Sequence, residues 1–159
     1  MIQTRPALPS DLRNLNDLLK ASKAHWGYDE VFMKEFMENL GLSEASFSQQ
    51  SLFLVFVEGV LAGFYGFAVG EDKILELEHF YLYPDFIGKG LGRQMWNLGL
   101  DTAKSWGHRD FLVWSDPHAD GFYEKMGGKL VRFQRSSLGQ DRYQAVFRMV
   151  LEHCLPMKK

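Results

Sequence analysis

The chain is 159 residues long and 46% hydrophobic, with 13 Phe, 6 Tyr and 4 Trp, enough to bury a sizeable core in one domain spanning residues 1–159. With 18 basic and 20 acidic side chains the net charge is −2, so no broad field points to nucleic acid or to an anionic membrane as a partner. The lone Cys154 excludes an internal disulfide, MIQTRPALPSDL has no apolar signal-peptide core, and no stretch approaches membrane-spanning length; a soluble cytoplasmic protein is expected.

In chain order, Ile2 to Arg5 reads as a short edge strand. Ser10 then offers an N-cap to a helix marked by Leu12, Leu15, Leu18 and Leu19. Gly27 interrupts the pattern inside SKAHWGYDE, and Asp29 caps a second helix through Phe32, Phe36, Met37 and Leu40, closed by Gly41. Leu52–Val57 and Val60–Val69 form a hairpin about Glu58-Gly59, and Gly70-Glu71-Asp72 leads into a third strand, Ile74–Tyr83. Leu91, Met95, Leu98, Ala103 and Trp106 mark a crossover helix ending at Gly107, followed by the strand Phe111–Trp114. Strand, crossover helix and strand imply one parallel pair in an otherwise antiparallel sheet. Asp116 and Pro117 start a short helix lined by Ala119, Phe122 and Met126, and strands Lys129–Arg135 and Arg142–Leu151 close the chain across SSLGQD.

The stretch YPDFIGKGLGRQMW places Gly88, Gly90 and Gly92 between a strand and a helix, where backbone amides can converge on a phosphate. A dinucleotide-binding unit would stand first in the chain with an acid ending its next strand, and the phosphate-binding pattern G-x-x-x-x-G-K-[ST] is absent. The order of elements instead resembles the GCN5-related N-acetyltransferase (GNAT) family over essentially the whole chain. That family's acyl-CoA loop, Gln/Arg-x-x-Gly-x-Gly/Ala, is similar to IGKGLG at Gly90 and Gly92, with Ile87 where Gln or Arg is usual. DPHADGFYEKMGG resembles the family's second motif at Ala119, Phe122, Tyr123, Lys125 and Gly127, with Asp116 for the usual Asn and Gly128 for the usual Phe.

The resemblance implies an α+β fold: a central, mostly antiparallel twisted sheet with one parallel strand pair, flanked by about four helices. It implies acetyl-CoA as co-substrate, held by the backbone of Ile87, Gly88, Lys89, Gly90, Leu91 and Gly92, with Tyr81, Leu82, Asp116 and Tyr123 also against the cofactor and the Leu82 amide as oxyanion donor. Lys89 adds a positive charge beside the expected phosphates or is simply solvated. Tyr123 takes the part of the general acid; it follows Phe122, read as core-facing, by about 100° of helix and so lies at the margin of the buried face. In ILELEHFYLYP, alternation puts Glu76 and Glu78 on one strand face and Leu77 and His79 on the other. One of the two carboxylates is a candidate base, since neighbouring like charges raise a pKa. His79 is the alternative, turned toward the site by a strand bulge of the kind the family carries.

His25, Trp26 and Tyr28 lie where the family builds its acceptor wall, and they either contact substrate or cap the core. No metal-ligand spacing appears. The leading expectation is acetyl transfer to a primary amine of a small molecule or peptide by direct nucleophilic attack. Two other readings stand beside it: a non-catalytic acyl-CoA-binding regulatory module, and a peptide-binding module that uses the aromatic loop. A homodimer is open to the chain if YQAVFRMVL exposes a strand edge.

Overall fold

Seven strands order themselves β1-β2-β3-β4-β5-β7-β6 in one sheet. The computed structural model describes residues 1–70, 72–136, 138 and 142–151. The strands are β1 (Ile2–Pro6), β2 (Ser51–Val57), β3 (Val60–Val69), β4 (Leu75–Leu82), β5 (Asp110–Ser115), β6 (Lys129–Arg135) and β7 (Tyr143–Val150). Among the described residues five helices accompany them: α1 (Leu12–Ala24), α2 (Glu30–Leu40), α3 (Ser46–Gln49), α4 (Leu91–Ser105) and α5 (Asp120–Lys125). The four-residue α3 has no counterpart in the sequence reading. The expected parallel pair is β4 with β5, in register Glu76 to Leu112 and Leu77 to Val113. Part of the SSLGQD connection, Glu71 of the expected turn, and Cys154 lie outside the described residues.

The chain divides into two compact units, Met1–Ala68 with His79–Gly92, and Val69–Glu78 with the chain from Arg93 onward. In the first unit, β1 pairs antiparallel with β2 and β2 with β3. Every residue of β3 from Ala62 to Phe67 is buried, the mark of a strand covered on both faces. Leu15, Leu18, Leu19, Ser22 and Lys23 are the buried stripe of α1, following its 3.6-residue period. The start of α1 corrects the expected Ser10 cap: a 3-10 turn, Pro9–Asp11, precedes it, and the organising group is Asp11. The Asp11 carboxylate accepts from the Leu8 amide at 2.8 Å and from both terminal nitrogens of Arg5 at 2.8 and 3.0 Å. These bonds hold Asp11 below the usual carboxylate range. Helix α2 is capped as expected, with Asp29 Oδ1 accepting from the Phe32 amide at 2.8 Å. The side chain of Asn16 fixes its other end, donating to the Leu42 carbonyl at 2.9 Å and accepting from the Leu42 amide at 2.8 Å.

In the second unit, β5 and β6 each pair antiparallel with β7. Both edges of β7 are therefore occupied, which corrects the expectation that this strand offers an edge to a second copy; β6 and β1 end the sheet. The buried stripe of α4 runs through Leu91, Met95, Trp96, Leu100 and Ala103, whereas Trp106 lies past the helix end and is exposed. Trp96 stands at the centre of an aromatic cluster, its ring 5.7 Å from Phe111, 5.8 Å from Phe122 and 5.9 Å from Tyr123.

Candidate functional site

The glycine stretch leaves β4 through Tyr83, whose amide donates to the Ala62 carbonyl at 2.8 Å, and a 3-10 turn over Pro84–Phe86. Ile87 is extended, and Gly88 and Gly90 then adopt φ of +80° and +83°, the left-handed region that side chains avoid. A Cβ added to either glycine would meet nothing within 4 Å. Backbone conformation rather than crowding thus demands glycine at both positions, and alternating left-handed residues turn successive amides toward one side of a loop. Leu91 begins α4 at once and Gly92 is its second residue, so the loop runs straight into a helix N-terminus. Lys89 lies between the two left-handed glycines, exposed to solvent.

On β4, burial alternates as the sequence predicts: Leu75, Leu77 and His79 face inward, Glu76 is half-buried and Glu78 exposed. Partial desolvation, then the Glu76 charge and a hydrogen bond to it, push the Glu78 carboxyl up to about 7. Water reaching the exposed side chain moderates that shift without reversing it. His79 has the opposite character. Only 8% exposed, it lies 5.5 Å from the Phe64 ring and 6.0 Å from Tyr81, and its Nδ1 has no hydrogen-bond partner among the described residues. Burial lowers its pKa to about 4, so the imidazole is neutral at pH 7. Tyr81 and Leu82 end the strand half-buried.

Tyr123 lies on the six-residue α5, in the second unit. Here the structure corrects the helix phase: Tyr123 is the buried residue at 6% exposure, together with Met126, while Phe122 is only half-buried. The reason is the 3-10 turn over Pro117–Ala119, which sets the phase of α5 independently of any longer helical pattern. The Tyr123 ring also stands 5.5 Å from Phe122 and 6.2 Å from Phe147. Gly128 has a clear steric role. A Cβ there would come within 2.8 Å of the Tyr123 carbonyl oxygen and 2.5 Å of Met149 Cε, and the Gly128 amide donates to that same oxygen at 2.9 Å. Asp116 caps the 3-10 turn, accepting from the His118 amide at 2.9 Å, and pairs with Arg142 at 3.1 Å.

The α1–α2 connection keeps His25 and Trp26 exposed, in edge contact at 4.8 Å, while half-buried Tyr28 stacks on Phe32 at 4.2 Å. The sequence reading missed Lys23, whose Nζ lies 5.2, 5.9 and 5.0 Å from the ring centres of Tyr28, Phe32 and Phe36. Its signal was present, because Leu15, Leu19 and Lys23 follow one another at four-residue spacing along the buried stripe. Arg142 was missed too, and nothing local announces it: it meets Asp116 from 26 residues away. Among the described residues there is no cluster of His, Cys, Asp and Glu able to hold a metal ion, and no helix long and apolar enough to cross a membrane.

Solved structures share this fold. The PaiA N-acetyltransferase of Thermoplasma acidophilum, in complex with coenzyme A, superposes with a TM-score of 0.75 at 18% identity, over 94% of this chain and 99% of that one. The ribosomal-protein-S18-alanine N-acetyltransferase of Escherichia coli gives 0.65 at 20% identity, over 93% and 91% of the two chains. The yncA protein of Salmonella typhimurium, solved with its cofactor acetyl-CoA, gives 0.65 at 17% identity, over 99% of each chain. Likeness at these identities establishes the fold class, a mixed α/β fold of the GNAT type. Membership rests on sequence: the Acetyltransferase (GNAT) family profile matches residues 14–128. The chain belongs to the GNAT acetyltransferase family. No protein of curated function matches it significantly.

Proposed function

We propose that this chain is an acetyl-CoA-dependent N-acetyltransferase that moves the acetyl group to a primary amine of a small molecule or peptide by direct attack. The observation that carries the reading is the family match, which spans both the glycine loop and the Tyr123 helix. The coenzyme A and acetyl-CoA in the complexes of its structural neighbours support the choice of donor. The loop suits an acyl-CoA pyrophosphate, since its two left-handed glycines free the backbone of Ile87–Gly92 to meet phosphate without side chains in the way.

When bound, acetyl-CoA supplies a thioester carbonyl open to nucleophilic attack. Glu78, helped by Glu76, accepts the proton that the amine loses as its nitrogen forms the new C–N bond. The Leu82 amide donates to the carbonyl oxygen as it gains charge. Tyr123 donates its hydroxyl proton to the thiolate as the C–S bond breaks, so one proton enters and one leaves the protein in each turnover. His25, Trp26 and Tyr28 contact the acceptor. His79, neutral and buried against Phe64 and Tyr81 on the strand face opposite Glu78, is not turned toward that carboxylate and takes no part in accepting the proton.

One observation favours a second reading, a non-catalytic acyl-CoA-binding module: the Asp116 carboxylate is already engaged by His118 and Arg142. A calorimetric titration with acetyl-CoA tests both. Saturable binding at or below millimolar concentration is expected, and no heat at millimolar acetyl-CoA contradicts both; binding without CoA release over a broad amine panel leaves the second.

A further inference from the structure

Lys23 is 5% exposed, a level at which lysine is rarely found unless its charge is met. Three rings from the neighbouring helix segment meet it. Tyr28 and Phe32 stack at 4.2 Å with 20° between their planes, Phe32 and Phe36 lie 6.3 Å apart at 17°, and the ammonium is within 6 Å of all three centres. Near-parallel rings facing one cation make a clasp whose strength grows with desolvation. Its position matters as much. Lys23 is in the last turn of α1, followed by His25, Trp26 and Gly27, and the rings it engages belong to Tyr28, just before the Asp29 cap, and to the first turns of α2. Asn16 ties the far end of α2 through the Leu42 backbone at 2.8 and 2.9 Å. The near end, with the aromatic connection, has the clasp.

We propose that Lys23 is a positioning residue for acceptor recognition: its ammonium, held by Tyr28, Phe32 and Phe36, fixes the α1–α2 connection in the form that presents His25 and Trp26 to the amine substrate. This rests on the reading above that the connection meets the acceptor. A lysine that only filled space would be replaceable by methionine, similar in length and without charge. A clasp would not be, while arginine keeps a cation over the rings.

The test compares Lys23→Met, Lys23→Arg and Trp26→Ala with the unaltered protein, using the amine that gives the fastest CoA release in a screen of amino acids, polyamines, aminoglycosides and short peptides. Lys23→Met is expected to raise the KM for that amine about tenfold, with kcat within about twofold and the Kd for acetyl-CoA unchanged. Lys23→Arg stays within about threefold of the original KM. Should Lys23→Met fail to fold, Phe32→Leu, which removes one ring and keeps the cation, is expected to raise the same KM about threefold. An amine KM unmoved by Lys23→Met, or by Phe32→Leu where that variant stands in, overturns the inference alone if Trp26→Ala raises KM. If Trp26→Ala leaves KM unmoved as well, the acceptor reading falls and the inference with it.

Discussion

Glu78 and Tyr123 carry the chemistry proposed here, and each makes a separate prediction. With its carboxyl raised to about 7 by desolvation and by Glu76, Glu78 is a competent base only when ionised. The value of kcat/KM should therefore rise with pH through about 7, and Glu78→Gln should lower it about a hundredfold and remove that inflection. An inflection that persists in the variant would assign the titration to another group. Tyr123→Phe keeps the ring among Trp96, Phe122 and Phe147 and removes only the hydroxyl. It should cut kcat at least about tenfold with little change in the Kd for acetyl-CoA, and an unchanged kcat in single-turnover kinetics would take the acid role from Tyr123. The alternation of Glu76, Glu78 and His79 was legible in the sequence because a strand's period is two. The depth of His79 was not, since it follows from the rings of Phe64 and Tyr81, one of them on a different strand.

The succession of strands along the chain, the Glu58-Gly59 hairpin, the Asp29 cap and the parallel pair could all be read from periodicity, turn chemistry and the crossover rule. What could not be read is where two short-range rules compete. At the start of α1, Asp11 displaced Ser10 as the organising residue because Arg5 on β1 reaches it. In α5, six residues are too few for periodicity to fix the phase, and Tyr123 rather than Phe122 turned inward. Two glycine substitutions separate conformation from contact. Gly90→Ala places a side chain at φ +83° with open space around it, so it should cost about 1–2 kcal/mol of stability and weaken acetyl-CoA about tenfold, by urea unfolding and calorimetry. Gly128→Ala instead drives a Cβ to 2.8 Å from the Tyr123 carbonyl oxygen, backbone that cannot yield without moving α5. It should lower kcat more than it weakens acetyl-CoA, and the opposite ranking would dissociate the Tyr123 helix from catalysis.

For the molecule as a whole, two shifted ionisations oppose each other. His79 titrates at about 4 in the fold against 6.5 as the ordinary value, so between these pH values the unfolded chain binds more protons and stability rises with pH. Glu78 titrates at about 7 against 4.5, so the folded chain binds more protons there and stability falls with pH. Between pH 4.5 and 6.5 the two slopes work against each other. The unaltered protein should show a shallow dependence of its urea midpoint, Glu78→Gln a midpoint that rises with pH, and His79→Phe one that falls; parallel curves for all three would contradict the assigned shifts. Acetyl transfer from CoA to an amine is the activity proposed for the molecule. The most direct measurement is CoA thiol release from acetyl-CoA with and without each amine of the panel, alongside mass analysis of the amine. Release is expected to depend on a particular amine and to match the acetylated product mole for mole, while release independent of amine, or none with any amine despite saturating acetyl-CoA, would contradict amine acetylation.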